Sequence, residues 1–414
     1  VYLDYLSFDD KYFNDPDIWK CFETGDVNGI FQAETTSMTK VGRRIKPKNV
    51  EELAILFSVN RPGVVRAGLL DVFLDRWEGI EPVHSDHPMM DEVVGDTMGI
   101  VVYQEQVMKA VQVISGFSPT EADKVRKIIS KQKMEEMKKL KIEFIERACS
   151  NPKFVELSET GNPQLDAENI WRGIETTAIY AFNKSHAVGY AILAAWELWV
   201  KKYYLIEFLT ALASTDPDKY NNYVSEARRK GIKIAPPDVN ASQAGFSIDG
   251  NTIHYGFLSL KGVGGKATDA IVKNQPYVSL DDFLDKTKKQ GVNKTVVTTL
   301  IRVGAFDSLH PDRSSLLRAY YEMKKVKDVD VPDFTDEEVV YQTELELTGN
   351  FITRDPLAKF EPMIRESCIT TMDEFEEVEP VNNVIIGGKT SMVKKHIDRN
   401  GNEMAFIDIT FDDE

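Results

Sequence analysis

The sequence predicts a multidomain, mainly α chain that ends in a short β segment, and three observations lead there. Apolar residues recur at three- and four-residue spacing through 50–59, 104–115, 120–148 and 187–212, as in helices with one buried face. Between 252 and 320, glycines punctuate shorter helical runs into two helical hairpins. Apart from one short run before 103, strand-like runs lie at 383–387 and 404–411, joined by a turn at Asn400-Gly401-Asn402, and in a small hairpin around Asp249-Gly250. The 414 residues leave room for about two to four domains.

Taken in order, residues 1 to 215 read as mostly helical. A short apolar strand, Ile100-Val101-Val102, runs into the helix that opens with Tyr103-Gln104-Glu105-Gln106. Ser118-Pro119-Thr120-Glu121 supplies a cap, a proline and an acidic residue to start the helix carrying Arg126. Thr215-Asp216-Pro217-Asp218 ends the long apolar helix. A helix over 219–231 follows, then Ala235-Pro236-Pro237-Asp238 and the small hairpin. Residues 321–342 are polar and charge-rich without clear periodicity, and read as a linker.

Composition excludes several classes. With 42% hydrophobic and 28% charged residues, the chain is that of an ordered globular protein. Cys21, Cys149 and Cys368 lie far apart and form no CxxC pair, which fits a reducing cytoplasm and offers neither a disulfide framework nor a zinc site. His84 and His87 form an HxxH in a proline-flanked loop without cysteine partners, which reads as an ordinary surface loop. The apolar stretch 187–213 is interrupted by Glu197, Lys201, Lys202 and Glu207, so it reads as a buried soluble helix and no membrane partner is expected. No signal or lipidation motif is evident. The chain begins at Val1 without Met and ends just after a strand-like run, so both ends are expected to continue into a longer protein. The net charge of −16 opposes nucleic acid only at long range, because phosphate affinity depends on local basic clusters.

Those clusters exist. Lys261-Gly262-Val263-Gly264, with Lys266 beyond it, has the pattern of a helix-hairpin-helix turn. Glycines there allow a tight turn and expose backbone N–H groups at a helix N-terminus, where phosphate binds. A second, degenerate hairpin is expected from Asn293-Lys294 through Val303-Gly304-Ala305-Phe306, and paired hairpins grip duplex backbone without reading sequence. Phe182-Asn183-Lys184-Ser185-His186-Ala187 sets donors, a cation and a flat polar ring side by side, as a nucleotide pocket requires. Arg126-Lys127 with Lys131 and Lys133, read as neighbours on one helix, could clamp a triphosphate or template phosphates.

In this order the elements resemble one family, the alpha subunit of bacterial DNA polymerase III (family C). The resemblance runs through Gly29-Ile30-Phe31-Gln32, Asn60-Arg61-Pro62-Gly63, Val102-Tyr103-Gln104-Glu105-Gln106-Val107-Met108, Glu121-Ala122-Asp123 and Phe182-Asn183-Lys184-Ser185-His186-Ala187. It continues through Pro236-Pro237-Asp238-Val239-Asn240, Leu260-Lys261-Gly262-Val263-Gly264 and Gly304-Ala305-Phe306-Asp307. It implies a C-terminal portion of such a polymerase: a helical fingers domain over 1–235, whose first residues could be a palm remnant, a helix-hairpin-helix DNA-binding domain over 236–320, a linker over 321–377 and a truncated OB-fold β segment over 378–414. Arg126, Lys127, Lys131, Asn183, Lys184, Ser185 and His186 would face the incoming dNTP, with His186 where it could sense the sugar. Primer-template DNA would be held by Lys261, Gly262, Val263, Gly264 and Lys266, and an OB-fold suits single-stranded template.

Departures from the family mark a divergent member, bacterial or phage. The family's Arg-Arg-Ala-Met-Gly-Lys-Lys stretch is Arg126-Lys127-Ile128-Ile129-Ser130-Lys131-Gln132, and a lysine at 127 weakens any bidentate phosphate contact there. The glycine usually found before Phe-Asn-Lys-Ser-His is Ala181. A glutamine-anchored peptide for the sliding clamp has no clear counterpart, and Val331-Pro332-Asp333-Phe334 is a poor substitute. Phosphoryl transfer needs carboxylates holding two Mg²⁺ ions about 3.5–4 Å apart. The Asp-x-Asp pairs 15/17 and 216/218 enclose proline and 328/330 lies in the acidic linker, so none reads as a palm motif. Asp4 alone sits in the Asp-aromatic-Leu context of the family's third aspartate. One carboxylate cannot assemble the metal site, so the chain is expected to need a palm half supplied upstream or in trans. The other reading is a non-catalytic, polymerase-derived DNA-binding scaffold.

Overall fold

The structure is a computed structural model that describes residues 12–131, 133–178, 181–216, 219–326, 329–353, 360, 363, 385, 389–397 and 403–410. It divides into two compact units, Val1–Tyr203 and Tyr204–Glu414. The break falls inside the stretch that the sequence assigns to a first domain ending at 235. Among the described residues no helix is long and apolar enough to cross a membrane.

Among the described residues the first unit is helical apart from one isolated bridge. Its longer helices are α1 (Thr36–Ile45), α2 (Val50–Val59), α3 (Leu69–Trp77), α4 (Gln104–Ser115), α5 (Pro119–Ser130), α6 (Met134–Cys149), α7 (Pro163–Ala178) and α8 (Lys184–Tyr203). Caps set their starts. Asn49 Oδ1 accepts from Glu52 N–H at the head of α2, and Ser118 and Glu121 form a capping box ahead of α5. The Glu121 carboxyl is held down at about 2, first by the Arg147 guanidinium and then by the Ser118 backbone N–H. The helix expected over 120–148 is two helices, because Lys131 leaves α5 and Lys133 has the non-helical φ −79, ψ 81 that opens α6.

One core joins α4 to α7. Val107, Ala110, Val111 and Ile114 meet Ala122, Val125, Ile128 and Ile129, then Phe144, Ile170 and Trp171. The three-and-four spacing of each set puts it on one helix face. α2 is buried from Leu53 through Val59 and packs on α8, whose inner row is Ala187, Ala191, Ala194, Ala195 and Leu198. Alanines there bring the two backbones close. Lys201 ends this apolar row, 6% exposed, with Nζ donating to Asn28 O (3.0 Å) and paired with Asp26 (2.7 Å). α8 stops at Tyr203, since Tyr204 (φ −137, ψ 49) leaves the helix, so the stretch expected as one helix over 187–212 is two.

The second unit begins with α9 (Leu205–Thr215) and α10 (Tyr220–Arg229). Strands β1 (Lys233–Ala235), β2 (Ser247–Asp249) and β3 (Thr252–His254) form a sheet of order β1-β3-β2, with the expected antiparallel hairpin β2–β3 and β1 parallel to β3. Helices α11 (Gly265–Lys273), α12 (Leu280–Lys286), α13 (Lys294–Arg302) and α14 (Arg313–Met323) surround a core of Ile271, Tyr277, Phe283, Val297, Leu300, Phe306 and Tyr320. The segment expected to be a linker contains α15 (Glu337–Thr348), with Leu347 in that core. Its buried Glu344 accepts from Ile352 N–H (2.8 Å) and Thr353 N–H (3.2 Å), and Glu346 pairs with Arg302 at 2.6 Å. Arg302, distant in sequence, and the backbone just past the helix end, not helical periodicity, hold this polar helix in place. β4 (Lys389–Ile397) and β5 (Glu403–Thr410) pair as an antiparallel ribbon. The expected strand over 383–387 and the Asn400-Gly401-Asn402 turn lie outside the described residues.

Candidate nucleotide and nucleic-acid sites

Each residue of Tyr103-Gln104-Glu105-Gln106 has a separate job at the head of α4. Gln106 is buried and accepts from Val102 and Tyr103 N–H (2.8 and 2.9 Å) while donating to Val93 O and Thr97 Oγ1, which fixes the approach to the helix. Gln104 Oε1 accepts from Arg126 Nη1 at 3.3 Å. Glu105 accepts from Asn183 Nδ2 (3.2 Å) and Lys184 N–H (2.9 Å). Tyr103 lies beneath Lys184, whose Nζ stands 5.5 Å from the ring centroid, and burial pushes its phenol up to about 12. The expected strand 100–102 reduces to one parallel bridge, in which Phe182 N–H donates to Val102 O and Gln104 N–H to Phe182 O, both at 2.9 Å.

Two chain-distant cationic segments are therefore each tied to neighbouring residues at the head of α4. Arg126 Nε and Nη2 donate to Asp123 Oδ1 (3.1 and 2.7 Å), and Lys127 Nζ pairs with Asp123 at 2.6 Å. Lys127 first and Arg126 second hold the Asp123 carboxyl below the usual carboxylate range. Asn183 Oδ1 accepts from His186 N–H at 2.9 Å, the cap of α8. Lys184, Ser185 and His186 are exposed on that first turn, and the His186 ring lies 4.0 Å from Tyr190 and 5.3 Å from Phe182. Lys131 and Lys133 do not share the helix of Arg126. Lys131 caps the end of α5, exposed, and Lys133 pairs with Glu136. Among the described residues no hydrogen bond or ion pair ties Ser185 or Lys131 to Gln104 or Glu105.

Sequence reasoning passed over Glu197 and Arg61. Glu197, on α8, accepts from Phe31 N–H at 2.6 Å, and burial, with a smaller push from Glu34, raises its carboxyl to about 7. A carboxyl whose folded value exceeds its unfolded one favours the fold while protonated, and that contribution fades as pH rises through the folded value. Stability is therefore expected to fall from about pH 5 to about pH 8 by roughly 2 kcal/mol on this account. Glu197→Gln, which keeps an acceptor for Phe31, should flatten the melting temperature across that range. An unaltered slope would remove Glu197 as its source.

In the second unit, Gly262 has φ +84, Val263 is buried and Gly264 (φ −93, ψ 167) caps α11. The segment before it is a 3₁₀ turn, Phe257–Ser259, not the expected α-helix. The same backbone recurs at Gly291-Val292-Asn293: Gly291 has φ +96, Val292 packs on the core and Asn293 (φ −97, ψ −178) caps α13. The two turns pack reciprocally. A Cβ on Gly262 would lie 3.2 Å from Thr295 Cγ2 of α13, and one on Gly291 3.0 Å from Lys266 Cγ of α11. Thr299 Oγ1 donates to Lys261 O (3.3 Å), while Lys261 N–H donates to Leu347 O (2.8 Å) of α15. Lys261, Lys266, Lys288, Lys289 and Lys294 are exposed around the turns.

The expected second hairpin turn at Gly304 is corrected by this pairing. The helix-turn-helix α13–α14 exists, yet Val303 to Phe306 are buried and Arg313 fills the space beside Gly304 while donating to both Asp307 oxygens.

The other expectations divide similarly. His87 is not on the surface: it is fully buried and stacked on Phe154 (4.2 Å), with Nε2 at 3.1 Å from Phe154 O and Nδ1 accepting from Met89 N–H. Asp4 lies outside the described residues, as do Asp218 and Asp328. Asp15 accepts from Asp17 N–H and Tyr203 OH, and Asp17 pairs with Lys20. Among the described residues no group of three or more His, Cys, Asp or Glu side chains could hold a metal.

The family described as bacterial DNA polymerase III alpha subunit finger domain matches residues 4–152, and the helix-hairpin-helix motif family matches residues 231–316. DNA polymerase III subunit alpha of Aquifex aeolicus is 33% identical over 98% of this chain and 35% of its own length. That of Thermus aquaticus is 31% identical over 97% of this chain and 35% of its own, and that of Campylobacter jejuni 30% over 96% and 35%. The chain thus spans about a third of the length of these relatives. From the finger-domain match through the paired glycine turns, it belongs to the DNA polymerase III alpha subunit family.

Proposed function

We propose that this chain is the fingers and DNA-binding portion of a replicative DNA polymerase, which adds dNTPs to a primer in the 5′-3′ direction on a template. The observation that carries the reading is the head of α4, where Gln104 and Glu105 hold Arg126 on one side and Asn183-Lys184 on the other. Arg126 and Lys184 face the triphosphate, with Lys127 drawn in through Asp123, and the exposed His186 ring borders the sugar. A triphosphate carries more charge than the Asp123 carboxylate and competes with it for both cations. Lys131 and Ser185 flank this arrangement and contact DNA or nucleotide only at its edge.

The two turns bind duplex phosphate. Support comes from Gly264 and Gly265, whose added Cβ atoms would meet nothing within 4 Å, so the fold itself does not demand glycine at either position. Bare backbone at a helix N-terminus admits a phosphate closely. Mutual packing of the turns fits one grip on each strand, indifferent to base sequence.

Mg²⁺ chemistry belongs to residues outside this set, in the palm portion of the complete enzyme. Purified chain with Mg²⁺, dNTPs and primed template should therefore give no primer extension, and the palm portion added in trans should restore it. Extension by the chain alone would refute the assignment of the metal ligands to another segment. The scaffold alternative receives no particular support from the α4 geometry.

A further inference from the structure

Arg61 lies just before the short helix Pro62–Arg66, and its guanidinium carbon stands 4.1 Å from the centroid of the Phe182 ring. Other arginines of this unit are occupied: Arg126 by Asp123 and Gln104, Arg66 by Pro62 O, Arg44 by Glu78 and Asp75. Arg61 is half-buried, and its guanidinium has no carboxylate or carbonyl acceptor among the described residues. The ring it covers belongs to the bridge that ties Val102 and Gln104 to the head of α8, and the His186 ring meets the same phenyl at 5.3 Å. A guanidinium lying on an aromatic face keeps its in-plane N–H donors for another group. The ring beneath those donors is two residues of chain from Lys184, at a site already rich in cations.

We propose that Arg61 is a phosphate-binding residue of this site, stacking on Phe182 through its face and donating to phosphate oxygens through its edge. The assignment rests on the reading of the α4 head as a nucleotide site and adds to it a residue from a third segment. Phosphate has two sources here, the triphosphate of a nucleotide and the backbone of a nucleic-acid strand.

The test is calorimetric titration of the whole chain with inorganic tripolyphosphate, with dATP and with a single-stranded oligothymidylate. Arg61→Met keeps the apolar stem on the ring without the charge, and Arg61→Lys keeps the charge without the fork. The expected result is a loss of about fivefold or more in affinity for Arg61→Met, with a smaller loss for Arg61→Lys. A loss on tripolyphosphate and dATP assigns Arg61 to the nucleotide, and a loss confined to the oligothymidylate assigns it to a strand. Wild-type affinity for all three probes in Arg61→Met, with or without a lowered melting temperature, overturns the proposal and leaves Arg61 a packing residue. Should Lys184→Ala weaken tripolyphosphate binding while Arg61→Met does not, the inference fails alone. Should Arg126→Ala, Lys184→Ala and Arg61→Met all leave it unchanged, the site reading fails with it.

Discussion

Lys184→Ala is expected to raise KM for dNTP or lower kcat by about tenfold to a hundredfold in the reconstituted polymerase, and Arg126→Ala to do the same. Both cations lie within one residue of a hub contact. Lys184 donates its backbone N–H to Glu105, and Arg126 reaches Gln104, so adjacent residues of α4 set the spacing between the two positive charges. A charge-assisted hydrogen bond of this kind is worth about 1.5–3 kcal/mol, hence the size of the effect. DNA affinity should barely change, because the glycine turns are intact in both variants. His186→Ala should leave synthesis near normal and relax discrimination against ribonucleotides, since its ring is exposed beside Tyr190 and only its backbone caps the helix. Unaltered dNTP kinetics in both cation variants, with only the melting temperature lowered, would reduce the α4 head to a structural junction.

What the sequence disclosed follows from how local each signal is. The limits of α2 and α4 were legible because a cap and three-and-four spacing lie within a few residues of each end. The break at Lys131–Lys133 was not, because apolar residues keep helical spacing on both sides of it and only two backbone angles record the interruption. α15 escaped notice for the opposite reason: it is polar along most of its length, and it is held by Arg302, remote in sequence, and by the 352–353 backbone just beyond its end. At the site, the residues of Asn183-Lys184-Ser185-His186 were legible as chemistry. Their partner Glu105 was legible only as a motif, since a contact across 78 residues leaves no periodic trace. Arg61 was legible only as part of the Asn60-Arg61-Pro62-Gly63 motif, with no chemistry assigned to it, and Glu197 only as an acidic residue in an apolar helix. The second turn was misplaced because Gly304 sits after a helix in a Gly-Ala-Phe context, whereas Gly291 is followed by Asn293, a cap that replaces the second glycine.

Alanine at both Gly262 and Gly291 should weaken binding to primed duplex by more than about tenfold. Each has a φ in the left-handed region, which costs an L side chain roughly 1–2 kcal/mol. Each new methyl would also press on the other turn's helix, at Thr295 Cγ2 or Lys266 Cγ. Distortion of either turn is thus passed to its partner, and the two substitutions should be non-additive. Because such variants also lose stability, the decisive comparison is Gly264→Ala. Its φ of −93 accepts alanine and its surroundings are open, so the melting temperature should hold. If phosphate approaches the α11 N-terminus, the added methyl occupies that approach and affinity falls, whereas a turn with no ligand would tolerate it silently. Lys266→Ala should lower the slope of log affinity against log salt by about one unit, the signature of one lost phosphate contact. Binding by Gly264→Ala and Lys266→Ala at wild-type strength and salt slope would mean that the turns brace the core and that DNA is held elsewhere.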